Sequence, residues 1–206
     1  MPSLKILTPL MFALSLAAGA AFAASATVGQ AAPTFSATDA SGKTVSLADL
    51  KGKTVVLEWV NPECPYVRKH YDSANMQATQ KAASGKGVVW LSVNSTHPSH
   101  DDFKKPAEML AWAQKQGAAP TATLMDGEGK IGRAYGARTT PHMYVIDAKG
   151  TLVYAGGIDD KPSANPADVK SAKNYVNAAL ADMLAGKPVA QAVTRAYGCS
   201  VKYSDG

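Results

Sequence analysis

The sequence predicts a three-layer α/β/α sandwich with an N-terminal β-hairpin extension and a C-terminal tail. Three observations lead there. Strand-length apolar runs, Thr54 to Val60 and Gly87 to Val93, alternate with helix-patterned segments, the order in which crossover helices join parallel strands. The run from Thr54 is apolar at nearly every position, as in a strand covered on both faces. Late in the chain, His142 to Asp147 and Leu152 to Gly156 flank the turn Asp147-Ala148-Lys149-Gly150 and add antiparallel strands.

Taken in order, residues 1–23 are expected to be a signal peptide. Lys5 supplies a positive start, Leu10 to Ala18 an apolar core, and Ala21-Phe22-Ala23 a small-x-small cleavage site. A membrane anchor is the weaker alternative, because Pro9 and Gly19 interrupt a short apolar segment. Residues 24–186 are read as one domain and 187–206 as a tail carrying Cys199. Thr34 to Thr38 and Thr44 to Leu47 flank Asp39-Ala40-Ser41-Gly42, a hairpin pattern. Cys64 to Ser84 is expected to be one helix, with Pro65 in the first turn where its missing N–H costs nothing. Pro106 to Lys115 has amphipathic spacing closed by Gly117. Thr121 to Met125 reads as a short strand, Lys130 to Tyr135 as a brief helix, and Pro166 to Leu184 as a final helix ended by Gly186.

The 206 residues carry a net charge of +5, and removal of the leader takes away Lys5 alone. So small and scattered a surplus gives no reason to expect nucleic acid or, after cleavage, a membrane as partner. Export would place the protein in the periplasm or outside the cell, an oxidising setting for its two cysteines, Cys64 and Cys199. Spacing alone does not pair them. The oligomeric state is left open.

Cys64 stands where a buried strand gives way to a helix, in Asn61-Pro62-Glu63-Cys64-Pro65-Tyr66-Val67. Free N–H groups and the helix dipole at such a point favour a thiolate, lowering a free thiol's ~8.5 by one or more units. Pro62 and Pro65 interrupt regular structure on both sides, which predicts an exposed elbow. Trp59, Tyr66 and Tyr144 read as packing around it, with Tyr66 at its rim. His70, His97, His100 and His142 lack metal-ligand spacing, and the charges around Lys161 and Asp168 read as a solvated face. Glu58 is read either as a buried acid that serves as general base or as an outward, solvated strand residue.

These segments, with Thr140-Pro141, Tyr144-Val145-Ile146-Asp147 and Gly150 to Gly156, resemble the thioredoxin superfamily in its redoxin (AhpC/TSA, peroxiredoxin-like) branch, over roughly Ala31 to Leu184. The tail Tyr197-Gly198-Cys199-Ser200-Val201-Lys202-Tyr203 looks like that of a peroxiredoxin-like subgroup. The resemblance implies a thiol oxidoreductase with Cys64 as redox nucleophile and Cys199 as resolving cysteine. It implies a cis Pro141, with the Thr140 backbone facing the Cys64 sulfur or a substrate, and Pro65 and Tyr66 beside it. In thioredoxin a buried acid matches Glu58.

Departures are equally plain. Position 67 is Val, so the local Cys-x-x-Cys is absent. Asn61 and Leu57 stand where a typical peroxiredoxin has Thr or Ser and Pro. Pro141 holds the place of its arginine, leaving Arg138 or Arg68 to substitute. On this reading Asn61, first-turn N–H groups and Arg138 or Arg68 would stabilise charge on a peroxide substrate. A thiol or dithiol protein would restore the enzyme. The alternatives are exchange with protein disulfides, and a non-catalytic binding or copper-handling module. No cofactor or resident metal is expected.

Overall fold

The computed structural model describes residues 26–204; the expected leader lies outside them. A hairpin of β1 (Ser36–Thr38) and β2 (Thr44–Ser46) comes first. Then follow β3 (Val55–Trp59), α1 (Pro65–Asp72), α2 (Asn75–Ser84), β4 (Val89–Asn94), α3 (Pro106–Lys115), β5 (Ala122–Met125) and α4 (Lys130–Tyr135). The chain ends with β6 (Thr139–Thr140), β7 (His142–Ile146), β8 (Leu152–Gly156), α5 (Tyr175–Leu184) and β9 (Cys199–Ser200).

Five strands form the central sheet in the order β5-β4-β3-β7-β8. The β3–β4 and β4–β5 pairs are parallel, as their crossover helices require, and β7 and β8 return antiparallel. Every residue of β3 is buried, because the strand is central and covered on both sides. Val56 and Val60 face a core built with Val67, Tyr71, Met76, Met109, Val176 and Leu180 of the helices. Val55, Leu57 and Trp59 face a second core with Leu47, Ile131 and Tyr135, beneath the hairpin and α4. The three-layer α/β/α fold is therefore thioredoxin-like, with the hairpin as its added element.

Two expected helices are each broken. The segment after Cys64 stops at Asp72 and restarts at Asn75, because Ala74 takes a left-handed conformation (φ 59°). Asn75 Nδ2 then reaches back to His70 Nδ1 at 2.9 Å, bridging the break. Pro166 to Ser171 is a 3-10 turn, and α5 begins only after Asn174, whose side chain caps the Asn177 N–H. The tail is ordered as a strap across one end of the sheet. It bridges Ala155 at Val193, bonds Gly157 through Thr194 Oγ1, and pairs β9 with β6.

Candidate redox site

The site is built where β3 leaves the sheet. Beyond Trp59 the chain turns through Asn61, whose Oδ1 accepts the Glu63 N–H at 2.8 Å and whose Nδ2 donates to Asp102 at 3.0 Å. Glu63 in turn pairs with Lys104 at 2.7 Å. The loop ahead of α3 thus holds the elbow at two points. Cys64 is the N-cap of α1, with Pro65 as the first helical residue. Its side chain makes no capping bond. The thiol points instead to the Thr140 carbonyl, 3.0 Å away, and to the Cys199 sulfur at 2.6 Å.

Thr140 is held there by its own surroundings. The Thr140–Pro141 peptide is cis, and Thr140 lies opposite Cys199 in the β6–β9 pair, with Thr139 opposite Ser200. Gly198 allows this approach. It has φ 141°, and a Cβ there would run into the Thr140 carbonyl. A covalent S–S bond is ~2.05 Å, so the two sulfurs need only a small movement to join. Burial and the neighbouring Cys64 sulfur push the Cys199 thiol up to about 12.

The elbow was expected to be exposed; it is covered. Cys64 is 2% exposed, since the returning strap lies over it, and the prolines that break the backbone do not prevent that. Asn61 is buried, with its polar atoms spent on Asp102 and Glu63 rather than on the sulfur. Arg138 departs from its expected role. Its side chain is exposed, it has no hydrogen bond to either sulfur, and its charge acts on His142. Arg68 is likewise exposed and bonds the Glu63 carbonyl at 2.9 Å. Tyr66 is half-buried and packs edge-on against Tyr197 at 5.9 Å. The Thr140 hydroxyl is buried without a hydrogen-bond partner.

Glu58 is fully buried and meets four donors: Tyr71 OH (2.8 Å), Trp90 Nε1 (2.7 Å), Gln80 Nε2 (3.1 Å) and Ser92 Oγ (3.1 Å). Desolvation raises its pKa, with those hydrogen bonds opposing. Neither cysteine is among its partners, so the carboxyl organises the core behind the site. Among the described residues, no group of three or more His, Cys, Asp or Glu side chains is placed to hold a metal ion.

Sequence reasoning missed a second buried cluster beside the strap. Lys69, His70 and Asp159 are all but inaccessible, and the tail's Tyr197 joins them. A lysine on an amphipathic helix ordinarily reads as solvated. The available signal was the pair of tyrosines flanking Cys199 at Tyr197 and Tyr203.

This fold, with a cysteine at the first helix after a central strand and a cis-proline opposite it, defines a thioredoxin-fold protein of the thiol oxidoreductase type. Residues 28–155 match the AhpC/TSA family, and the chain belongs to it. An uncharacterised conserved protein from Geobacillus kaustophilus is 26% identical, with TM-score 0.74 over 87% of this chain and 94% of that one. A hypothetical protein from Sinorhizobium meliloti is 24% identical, with TM-score 0.73 over 89% and 98%. The thioredoxin domain of a thiol-disulfide oxidoreductase from Bacteroides vulgatus shares the fold at 22% identity, TM-score 0.51, over 71% and 98%. A search of curated proteins gave no match.

Proposed function

We propose that the protein is an exported thiol–disulfide oxidoreductase working through a reversible Cys64–Cys199 disulfide. The 2.6 Å approach of the two sulfurs carries this reading. With the strap lifted, the Cys64 thiolate attacks a disulfide of a protein substrate, breaking its S–S bond and releasing one substrate thiolate. Cys199, once deprotonated, attacks the Cys64 sulfur of the mixed disulfide. The second substrate thiolate leaves, and the intramolecular disulfide closes. A dithiol protein reverses the couple. Cys64, at the start of α1, takes the attacking place, while the raised Cys199 thiol suits the resolving role.

Family membership favours a second oxidant, a peroxide. Cys64 would attack one peroxide oxygen, giving Cys64–SOH and water or an alcohol, and Cys199 would condense with it to a disulfide and water. The outward Arg138 and Arg68 lend this version no support.

Mass spectrometry of the exported protein, with and without reductant, tests the couple. Loss of two hydrogens, with the linkage mapped to Cys64 and Cys199, is expected. Dithiol-driven reduction of a protein disulfide should then require both cysteines. Peroxide consumption that vanishes in Cys64→Ser, with no disulfide exchange, would move the assignment to the second oxidant. Two free thiols at every glutathione poise would remove it altogether.

A further inference from the structure

We propose that Tyr197 is the positioning residue that holds Cys199 over Cys64, through a buried polar seat formed by Asp159, Lys69 and His70. The proposal rests on the thiol-couple reading above and adds what governs its strength. The side chains of Lys69 and Asp159 are 0% and 1% exposed. Burying such charges costs several kcal/mol for each ion and is repaid only when their remaining hydrogen bonds are filled. One group from the tail does much of that filling. The Tyr197 hydroxyl donates to Asp159 Oδ1 and accepts from Lys69 Nζ at 3.3 Å. Lys69 Nζ also donates to the Lys161 carbonyl at 2.6 Å and meets Asp159 Oδ2 at 3.4 Å.

His70 completes the seat. Its Nδ1 lies 2.9 Å from Asn75 Nδ2, an N–H donor, so the neutral ring carries its proton on Nε2. That proton points to the Tyr197 oxygen at 3.2 Å. Burial lowers the His70 pKa to about 4, which keeps the ring neutral near pH 7. The tyrosine ring is braced by Tyr66 and lies 5.3 Å from Lys69 Nζ.

None of these groups is bonded to either sulfur, so their link to the chemistry runs along the tail. Gly198 alone separates Tyr197 from Cys199. A two-residue strand pair such as β6–β9 has too few bonds to hold itself in place. The far side of Cys199 is fastened separately, by the Val201 N–H to the Arg138 carbonyl (3.0 Å), the His97 N–H to the Lys202 carbonyl (2.7 Å) and the Tyr203 hydroxyl to the Ala137 carbonyl (2.8 Å). The near side is left to Tyr197 and, three residues farther back, to Thr194. The seat therefore raises the effective concentration of the Cys199 thiol at Cys64.

The test is the equilibrium of the couple against glutathione. Cys64–SH and Cys199–SH become one S–S bond, while glutathione disulfide takes two electrons and two protons to give two glutathione thiols. Tyr197→Phe keeps the ring and deletes the hydroxyl. Its equilibrium constant should fall about tenfold from wild type, about 30 mV for this two-electron couple. A constant within about twofold of wild type, measured on folded protein, overturns the proposal. Should Tyr197→Phe not fold, amide exchange in the reduced wild type decides. Protection of residues 197–201 by at least ~100-fold supports the seat, and exchange at unstructured rates overturns it. A wild type that forms no Cys64–Cys199 disulfide at any glutathione poise overturns the thiol couple itself, and the positioning role with it.

Discussion

Gly198→Ala is the sharpest probe of the strap, because it perturbs only the approach of the tail to Thr140. The residue sits at φ 141°, a conformation that side chains rarely adopt, and an added Cβ would meet the Thr140 carbonyl and approach Pro141 N at 3.3 Å. Backbone strain of this kind costs of order 1–3 kcal/mol. The carbonyl in the way accepts from the buried Cys64 thiol at 3.0 Å, and its residue is paired with Cys199 between β6 and β9, so it has little freedom to retreat. The strap must move instead. The strap is closed over free thiols as well, so the disulfide weakens to the extent that the reduced protein escapes the cost by opening its strap, up to about 5–150-fold. The sheet is untouched, and a chemical denaturation midpoint of the reduced protein should move little. The assay is thiol quantitation after equilibration in graded thiol–disulfide buffers. A Gly198→Ala protein whose constant matches wild type within about twofold would refute the claim that this backbone approach governs the pair.

Other outcomes follow from buried polar groups. Glu58→Ala strands the Trp90, Tyr71, Gln80 and Ser92 donors around a cavity. It should cost roughly 3–5 kcal/mol in urea unfolding. The raised Glu58 pKa means the folded state binds its proton more tightly than the unfolded one. Its contribution is complete below about 4.5, the ordinary value, and is lost as pH rises through the folded pKa; Glu58→Gln should flatten that part of the profile. Burial lowers His70 and His142 to about 4, the opposite sense. Their contribution is present above about 6.5 and lost as pH falls toward 4, by roughly 3 kcal/mol each. His142→Gln should remove one such step from the acid unfolding curve. Thr140→Val deletes a buried hydroxyl without a partner and should leave unfolding free energy unchanged or raise it by up to about 1 kcal/mol.

Much of the fold was legible because its signals are local. The apolar run at β3 reports a strand covered twice, and Pro65 marks the start of α1. Lys130–Tyr135 and Leu152–Gly156 carry their own turn residues, and their bounds coincide with α4 and β8. The break at Ala74 was not legible, since alanine favours helix and only the packing around His70 and Asn75 makes the interruption acceptable. Nor was the Lys69–Asp159 pair, whose members are 90 positions apart and individually look like surface charges. Asp102 was hidden for the same reason, its bond to Asn61 spanning 41 positions. Glu58 was recognised as a choice between two environments, and only the arrival of Trp90 and Ser92 on the neighbouring strand decides it. The cover over Cys64 comes from a tail with neither helical nor strand periodicity, so elbow chemistry alone suggested an open sulfur.

That cover has a practical corollary for handling the protein. A sulfur with so little surface is shielded from bulky maleimides and iodoacetyl dyes while the polypeptide stays native. Labelling at Cys64 under such conditions reports how often the strap lifts, whereas Cys199 is only half-buried. The same shelter limits runaway oxidation, because the first neighbour a transient sulfenate meets is a second thiol instead of another oxidant molecule.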